Sequence, residues 1–349
     1  MLSVSERTLK LSCLVLLTFI TTSTVLLMRY SRTEKVPQHY LPSTAVFLAE
    51  VIKVITCVCV LYIEEGYDVE EASATLYHGI TDWNETFKLI IPSAMYTLQN
   101  NLLFIALSNL DAPTYQVTYQ LKILTTAIFS VMLLGRKLKT HQWVSLVLLM
   151  IGVALVQIPN DSSKSETHES AKKRGSLFLG LMSVFIASFS SGFAGVYFER
   201  LVKFGSHGGG SVPRLSIRNI QMGIFGVLFG AIAMLYSDYY SIRQGGMLQG
   251  YNLITWSIIA LQAFGGLVIA VTIKYADNIL KGFSTSFSII LSSLCSYFLL
   301  NDLDLSNNFI LGSFLVICAT FFYGCKFNYP EKEEVLQQKG MELNWGDAR

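Results

Sequence analysis

The sequence predicts an all-α membrane protein of ten transmembrane helices arranged as a 5+5 inverted repeat, on three observations. The chain of 349 residues is 52% hydrophobic and only 14% charged, with a mean hydropathy of +0.47, which is more apolar surface than a soluble core needs. Apolar runs of about 20 residues, enough to cross a hydrocarbon core as a helix, recur along almost the whole chain. Sliding the chain by 166 residues lays LSNLDAPTYQV (107–117) on IKYADNILKGF (273–283), with Asp111 on Asp277.

The runs are taken in order. The first, 9–29, is followed by Arg29, Tyr30 and Arg32 and lacks a small-residue cleavage site, so it reads as a retained helix rather than a secretion signal. The second, 42–63, carries Glu50 and Lys53 at i, i+3, a structural ion pair in the first instance and a gating pair in the second. Runs 86–109 and 112–134 form a hairpin, because Asp111 and Pro113 interrupt them with turn chemistry. Run 141–158 completes a first five-helix repeat over 1–159. NDSSKSETHESAKKRG (160–175) is rich in Ser, Lys and Glu and reads as a linker.

The second repeat, 176–326, opens with run 176–199, in which Gly192 and Gly195 permit close helix packing. Runs 215–237, 253–275, 279–300 and 307–326 follow, the middle two parted by Asp277 and Asn278, and 327–349 is a tail. The likeness of the halves continues weakly where LLGRKLKTHQW (133–143) falls on LLNDLDLSNNF (299–309). With an odd number of helices per repeat, the second copy must cross the membrane in the opposite sense. Such folds place substrate at the midplane between the halves.

Ten spans put both termini on one side, and the Lys and Arg residues near that side outnumber those opposite by twelve to eight, from Arg7 and Lys10 through Arg136, Arg218 and Lys274 to Lys281. The positive-inside rule then makes the termini cytosolic. The acidic run Glu64, Glu65, Asp68, Glu70 and Glu71 reads as a solvated loop on the same side. Six cysteines lie in or at the ends of spans without metal-ligand spacing, so no metal is expected. Two sequons, at Asn84 and Asn160, are expected to stay unused, the first facing the cytosol and the second abutting a helix end. GxSxG, HExxH and Walker A signatures are absent, the triple glycine at 208–210 lacks the rest of a phosphate loop, and Asp302-Leu303-Asp304 is a weak match to a metal-binding DxD. The chain is therefore read as a non-enzyme without a cofactor.

The chemistry concentrates inside the spans. Lys122 sits near the middle of run 112–134, where a lysine costs roughly 2.5–3.5 kcal/mol unless it faces a polar cavity or a partner. Tyr115 and Tyr119 share its helical face. Run 86–109 offers Tyr96 and Asn100 at i, i+4, amide and phenol groups able to read a base edge. Run 215–237 adds Asn219 and Gln221, and run 279–300 adds Lys281 with Ser284. A ligand bearing phosphate, a planar ring and many hydroxyls would satisfy this set. Each residue has a structural alternative: helix-to-helix hydrogen bonds for the amides and hydroxyls, packing for the tyrosines, a salt bridge for Lys122 and snorkelling for Lys281.

On these residues the chain resembles the nucleotide-sugar transporter family of the Golgi, within the drug/metabolite transporter superfamily. YTLQNN (96–101), SNLDAPTYQVTYQLKILTTA (108–127), SSGFAGVYFER (190–200), RNIQMG (218–223), QGYN (249–252) and IKYADNILKGFSTS (273–286) carry the resemblance, which is greatest to the UDP-N-acetylglucosamine branch. It implies the drug/metabolite transporter fold, phosphate contacts from Lys122 and Lys281, and a nucleoside lying by Tyr96 and Asn100. Tyr115, Tyr119 and Asn219 would line the same cavity. Gly223 stands where the CMP-sialic acid branch has a tyrosine, which disfavours CMP-sialic acid.

The implied activity is antiport of UDP-N-acetylglucosamine, with UDP-galactose left open, from cytosol to Golgi lumen against UMP. The implied surroundings are the lipid bilayer, a homo-oligomer or an association with Golgi glycosyltransferases, and no nucleic acid. Two other classes remain: a cation or metabolite exporter of the same fold, which would want an unpaired acid in the cavity, and a membrane glycosyltransferase using the DxD with a divalent metal.

Overall fold

The computed structural model describes residues 6–33, 38–110, 112–158, 176–204, 215–300 and 306–324, and every regular element among them is helical. The helices are α1 (Glu6–Thr33), α2 (Pro42–Glu64), α3 (Val69–Thr81), α4 (Trp83–Lys88), α5 (Ile90–Asn109), α6 (Ala112–Tyr119), α7 (Leu121–Leu134), α8 (Thr140–Gln157), α9 (Leu177–Phe204), α10 (Leu215–Gly245), α11 (Leu253–Tyr275), α12 (Asn278–Cys295) and α13 (Asn307–Gly324). A π-helical stretch, Ser296–Leu300, continues α12. The linker at 160–175, the glycine triplet at 208–210, the DxD at 302–304 and the tail at 327–349 lie outside the described residues.

Local chemistry sets the helix ends. Pro42 opens α2, where its missing N–H is no loss. Asp277 caps α12 by accepting from the Leu280 N–H at 2.7 Å, and Asn252 caps α11 by accepting from Thr255 N–H at 2.9 Å. Gly135 ends α7 at φ +64°, a left-handed conformation that a side chain would oppose.

Among the described residues nine helical stretches are long and apolar enough to cross a membrane. Predicted run 86–109 divides at Leu89 into α4 and α5, and α5 carries Tyr96, Thr97, Gln99, Asn100 and Asn101 within its 20 residues. The other nine runs coincide with helices to within a few residues, except that α9 and α10 extend further, to Phe204 and Gly245.

The surface is inverted relative to a soluble protein. Phe178, Phe321 and Met132 are 70% exposed or more, whereas Ser130, Ser145, Thr44 and Thr272 are fully buried. Lipid is the solvent that tolerates this. The buried hydroxyls bond to helix carbonyls, as Ser145 does to Ala319 at 2.5 Å and Thr125 to Ser188 at 2.9 Å. Neighbouring helices pair as α5 with α9, α8 with α13, α2 with α10, α1 with α11 and α12, and α7 with α9. On α9, a methyl group at Gly192 would lie 2.6 Å from Thr125 Oγ1 and 2.8 Å from the Thr126 nitrogen, and one at Gly195 would lie 2.4 Å from Asn278 Nδ2. The glycine face of α9 thus admits α7 and the start of α12 to backbone distance.

The acidic run is exposed as expected from sequence except at Glu65, which is buried, but it spans the end of α2 and the start of α3 rather than a loop alone. Asp68 caps α3, accepting from the Glu70 and Glu71 N–H groups, while Glu65 accepts from Thr75 at 2.8 Å and Glu64 from Ser216 at 2.6 Å. An aspartate two residues before paired glutamates is a helix start, and the reading as loop overlooked it.

Candidate functional site

Span 112–134 is built from two helices rather than one. α6 ends at Tyr119 and α7 begins at Leu121, with the Gln120 N–H turning back to the Val117 carbonyl at 3.2 Å. Just past this break, the Lys122 ammonium lies 4.4 Å from the centroid of the Tyr119 ring, a cation–π contact. Tyr119 stacks on Tyr115 with centroids 5.9 Å apart and planes 9° from parallel. Gln99 Nε2 donates to the Tyr119 hydroxyl at 2.9 Å, which ties α5 to α6. Tyr96, one turn before Gln99, lies within electrostatic range of Tyr119.

Lys281 enters from the first turn of α12 and lies within electrostatic range of Lys122. Both lysines are half-buried, and so are Tyr96, Tyr115 and Tyr119, although all sit inside apolar spans. That combination describes a polar cavity within the bundle. A cation in a helix's first turn also works against the helix dipole, so its placement serves something other than α12.

Elsewhere in the interior, charges are matched. Glu50 and Lys53 form an ion pair with Glu50 against Gly226 of α10 and Lys53 against Gly266 of α11. Glu199, fully buried on α9, takes Arg136 at 2.5 Å and Lys203 at 2.8 Å on one oxygen and the backbone N–H of Asn278 at 3.0 Å on the other. Arg136 also reaches Asp277 at 3.0 Å. Burial pulls the Arg136 guanidinium down, but Asp277 and Glu199 outweigh it and hold it above its ordinary range. These two acids and two bases sum to zero. Arg218, which sequence counting treated as an orienting charge, is buried against Glu85, which Lys88 also contacts at 2.5 Å. Among the described residues Lys122 and Lys281 have no carboxylate in salt-bridge contact, and the cavity carries their positive charge.

The remaining predicted residues distribute unevenly. Asn100 is exposed on α5. Asn219 is buried, donating to Leu215 O at 3.0 Å with its Oδ1 unpartnered. Gln221 does not join the lysines: it donates to Gly79 O at 2.8 Å and Thr86 Oγ1 at 3.0 Å and accepts from Arg218, knitting α10 to α3 and α4. Ser284 is likewise committed to the α1 seam, bonding Leu14 O at 2.6 Å and Thr18 Oγ1 at 2.8 Å. A methyl at Gly223 would meet Val54 at 2.5 Å, so glycine there seats α2. Sequence reasoning passed over Glu199 and noted Gln99 only as an amide beside Asn100. Glu199 had a signal, as the only acid of run 176–199 and four residues before Lys203. Gln99 had only its adjacency to Asn100.

The family profile described as "Nucleotide-sugar transporter" matches residues 5–324. The chain is 54% identical over 318 residues to a UDP-N-acetylglucosamine transporter of Homo sapiens, covering 90% of this chain and 95% of that one. It is 49% identical over 327 residues to a UDP-N-acetylglucosamine/UDP-N-acetylgalactosamine transporter of Caenorhabditis elegans, covering 92% and 94%. It is 42% identical over 321 residues to a UDP-galactose translocator of Mus musculus, covering 91% and 79%. A solved crystal structure with 13% identity superposes with a TM-score of 0.64 over 92% of this chain and 98% of that one, which establishes a shared fold. With a profile spanning nearly the whole chain and relatives above half identity, the protein belongs to the nucleotide-sugar transporter family.

Proposed function

We propose that this protein is an antiporter that carries UDP-N-acetylglucosamine from the cytosol into the Golgi lumen in exchange for UMP. The observation that carries the proposal is the pair of ammonium groups, Lys122 and Lys281, neither in salt-bridge contact with a carboxylate among the described residues, beside the stacked Tyr115 and Tyr119. Two ammonium groups with no carboxylate in salt-bridge contact among the described residues fit a ligand of about two negative charges. A UDP-sugar carries about two, and UMP nearly the same near pH 7, because a phosphate monoester titrates near 6. Exchange is then close to electroneutral. An empty cavity leaves both ammonium groups uncompensated when it closes, so the empty carrier reorients slowly. Either nucleotide removes that penalty, which makes transport obligatory exchange.

In this reading the diphosphate lies between Lys122 and Lys281, the Tyr119 ring braces Lys122, Gln99 fixes the ring, and Tyr96, Asn100 and Asn219 surround the nucleoside. Glu50 and Lys53 form a structural or gating pair. The names of the relatives favour UDP-N-acetylglucosamine, with UDP-galactose as the second reading because of the 42% identical translocator.

The architecture proposed for this cycle is ten spans in two inverted repeats, 1–159 and 176–326, with cytosolic termini. The helix pairings support it. If α1, α2, α5, α6–α7 and α8 correspond to α9, α10, α11, α12 and α13, the α5–α9 contact is mirrored by α1–α11 and the α7–α9 contact by α1–α12. The α2–α10 and α8–α13 contacts map onto themselves, as a two-fold axis requires.

The test is uptake of labelled UDP-N-acetylglucosamine, UDP-galactose and CMP-sialic acid into liposomes holding the purified protein, either preloaded with UMP or empty. Uptake of a UDP-sugar that depends on internal UMP is the expected result. Folded protein that takes up none of the three refutes the proposal.

A further inference from the structure

The first turn of α12 is held from three directions. Its backbone N–H at Asn278 donates to Glu199 Oε2 at 3.0 Å, and its cap, Asp277, pairs with Arg136 at 3.0 Å. The preceding carbonyl, Ala276 O, accepts from Lys203 at 2.6 Å. Glu199 joins these contacts, because its other oxygen binds both Arg136 and Lys203. Gly195 lets Asn278 approach close enough for the Glu199 bond, since any side chain there would collide with the Asn278 amide. Lys281 stands three residues further along that same turn, its own N–H bonded to Asp277 O at 3.0 Å. Nothing else described holds Lys281's position so directly, for its side chain has no carboxylate in contact among the described residues.

We infer that Glu199 is a positioning residue for the phosphate site: by clamping the start of α12 it sets where the Lys281 ammonium stands relative to Lys122. The inference rests on the nucleotide reading only for the probe used to test it. A bidentate carboxylate is needed for the role, one oxygen for the two cations and one for the backbone N–H. A neutral or shorter side chain cannot serve both at once. Glu199 also lies within electrostatic range of Lys281, so the clamp holds both the position and the surroundings of that ammonium.

Glu199→Asp is the informative variant, since it keeps the charge and withdraws the carboxylate by one methylene. UMP affinity is measured by titration in wild type, E199D, K281Q and the double variant. Residues coupled within one network interact by about 0.5–3 kcal/mol, so E199D is expected to weaken UMP about tenfold in the wild-type background and less than about twofold when Lys281 is already glutamine. Equal losses in both backgrounds, or no loss in either, overturn the inference. If E199D does not fold, D277N takes its place: asparagine still caps the helix but gives up the charge pair with Arg136, and the same dependence on Lys281 is required. If wild-type protein fails to bind UMP, the nucleotide reading falls. The clamp is then judged by the acylation rate of Lys281 relative to Lys122, read by mass spectrometry. E199D must change that ratio; an unchanged ratio overturns the inference.

Discussion

Neutralising Lys122 should weaken the nucleotide-bound protein and leave the empty one no worse. In the empty cavity this ammonium has the Tyr119 ring 4.4 Å away, Lys281 within repulsive range and no carboxylate contact among the described residues. The ring contact is worth about 0.5–2 kcal/mol. Against it stand the desolvation of a charge inside an apolar span and the repulsion from Lys281, both of which Lys122→Gln removes. The melting temperature of the empty variant should therefore equal or exceed that of wild type.

With phosphate present the balance reverses. A hydrogen bond to a charged group contributes about 1.5–3 kcal/mol, so losing one weakens UMP about 10- to 140-fold. The assay is thermal unfolding across a UMP titration, followed by exchange in liposomes. At one hundred times the wild-type Kd, wild type gains about 2.7 kcal/mol from ligand, whereas a hundredfold weaker variant gains about 0.4. Exchange should fall in step. A variant that binds UMP within about twofold of wild type would remove Lys122 from the phosphate site. One whose empty form is markedly less stable would show that Lys122 holds the fold through a contact absent from this structure.

Three further predictions follow from single contacts. Gly192→Ala places a methyl 2.8 Å from the Thr126 backbone nitrogen, which cannot rotate away, and should destabilise by about 1–3 kcal/mol in thermal unfolding; at Gly282, where the methyl meets nothing within 4 Å, the same change should be harmless. Burial pushes the Glu85 carboxyl up, but bonds from Lys88 and Arg218 prevail and hold it below the usual range, so its contribution is complete above the unfolded value and lost as pH falls through the folded one. Melting followed downward from about pH 5 should fall more steeply in wild type than in E85Q, given the ordinary glutamate value near 4.3, and parallel curves would show that Glu85 does not carry this acid sensitivity. Tyr119→Phe keeps the ring under Lys122 but strips Gln99 of its acceptor, and should lower stability by about 1–3 kcal/mol while weakening UMP less than K122Q does. An unchanged melting temperature would mean that the Gln99 bond contributes nothing.

The spans were legible because a membrane helix needs only length and apolarity, both local properties of sequence. α5 is legible as a helix of 20 residues even though Tyr96, Gln99, Asn100 and Asn101 interrupt its apolar run. Lys122 was legible for the complementary reason: a lone cation in an apolar run is conspicuous wherever the chain folds. Gln221 and Ser284 looked equally polar, yet one bonds to α3 and α4 and the other to α1, partners more than a hundred residues away that no local pattern announces. Counting charges gave Arg218 and Arg136 no partners for the same reason, as Glu85, Glu199 and Asp277 reach them from elsewhere in the chain. The pattern separates two kinds of interior charge. Those with a distant carboxylate are matched by the fold itself, and the two cavity lysines, left without one among the described residues, have to be matched by whatever the cavity holds. Charge matching across the fold therefore singles out Lys122 and Lys281 more sharply than polarity does.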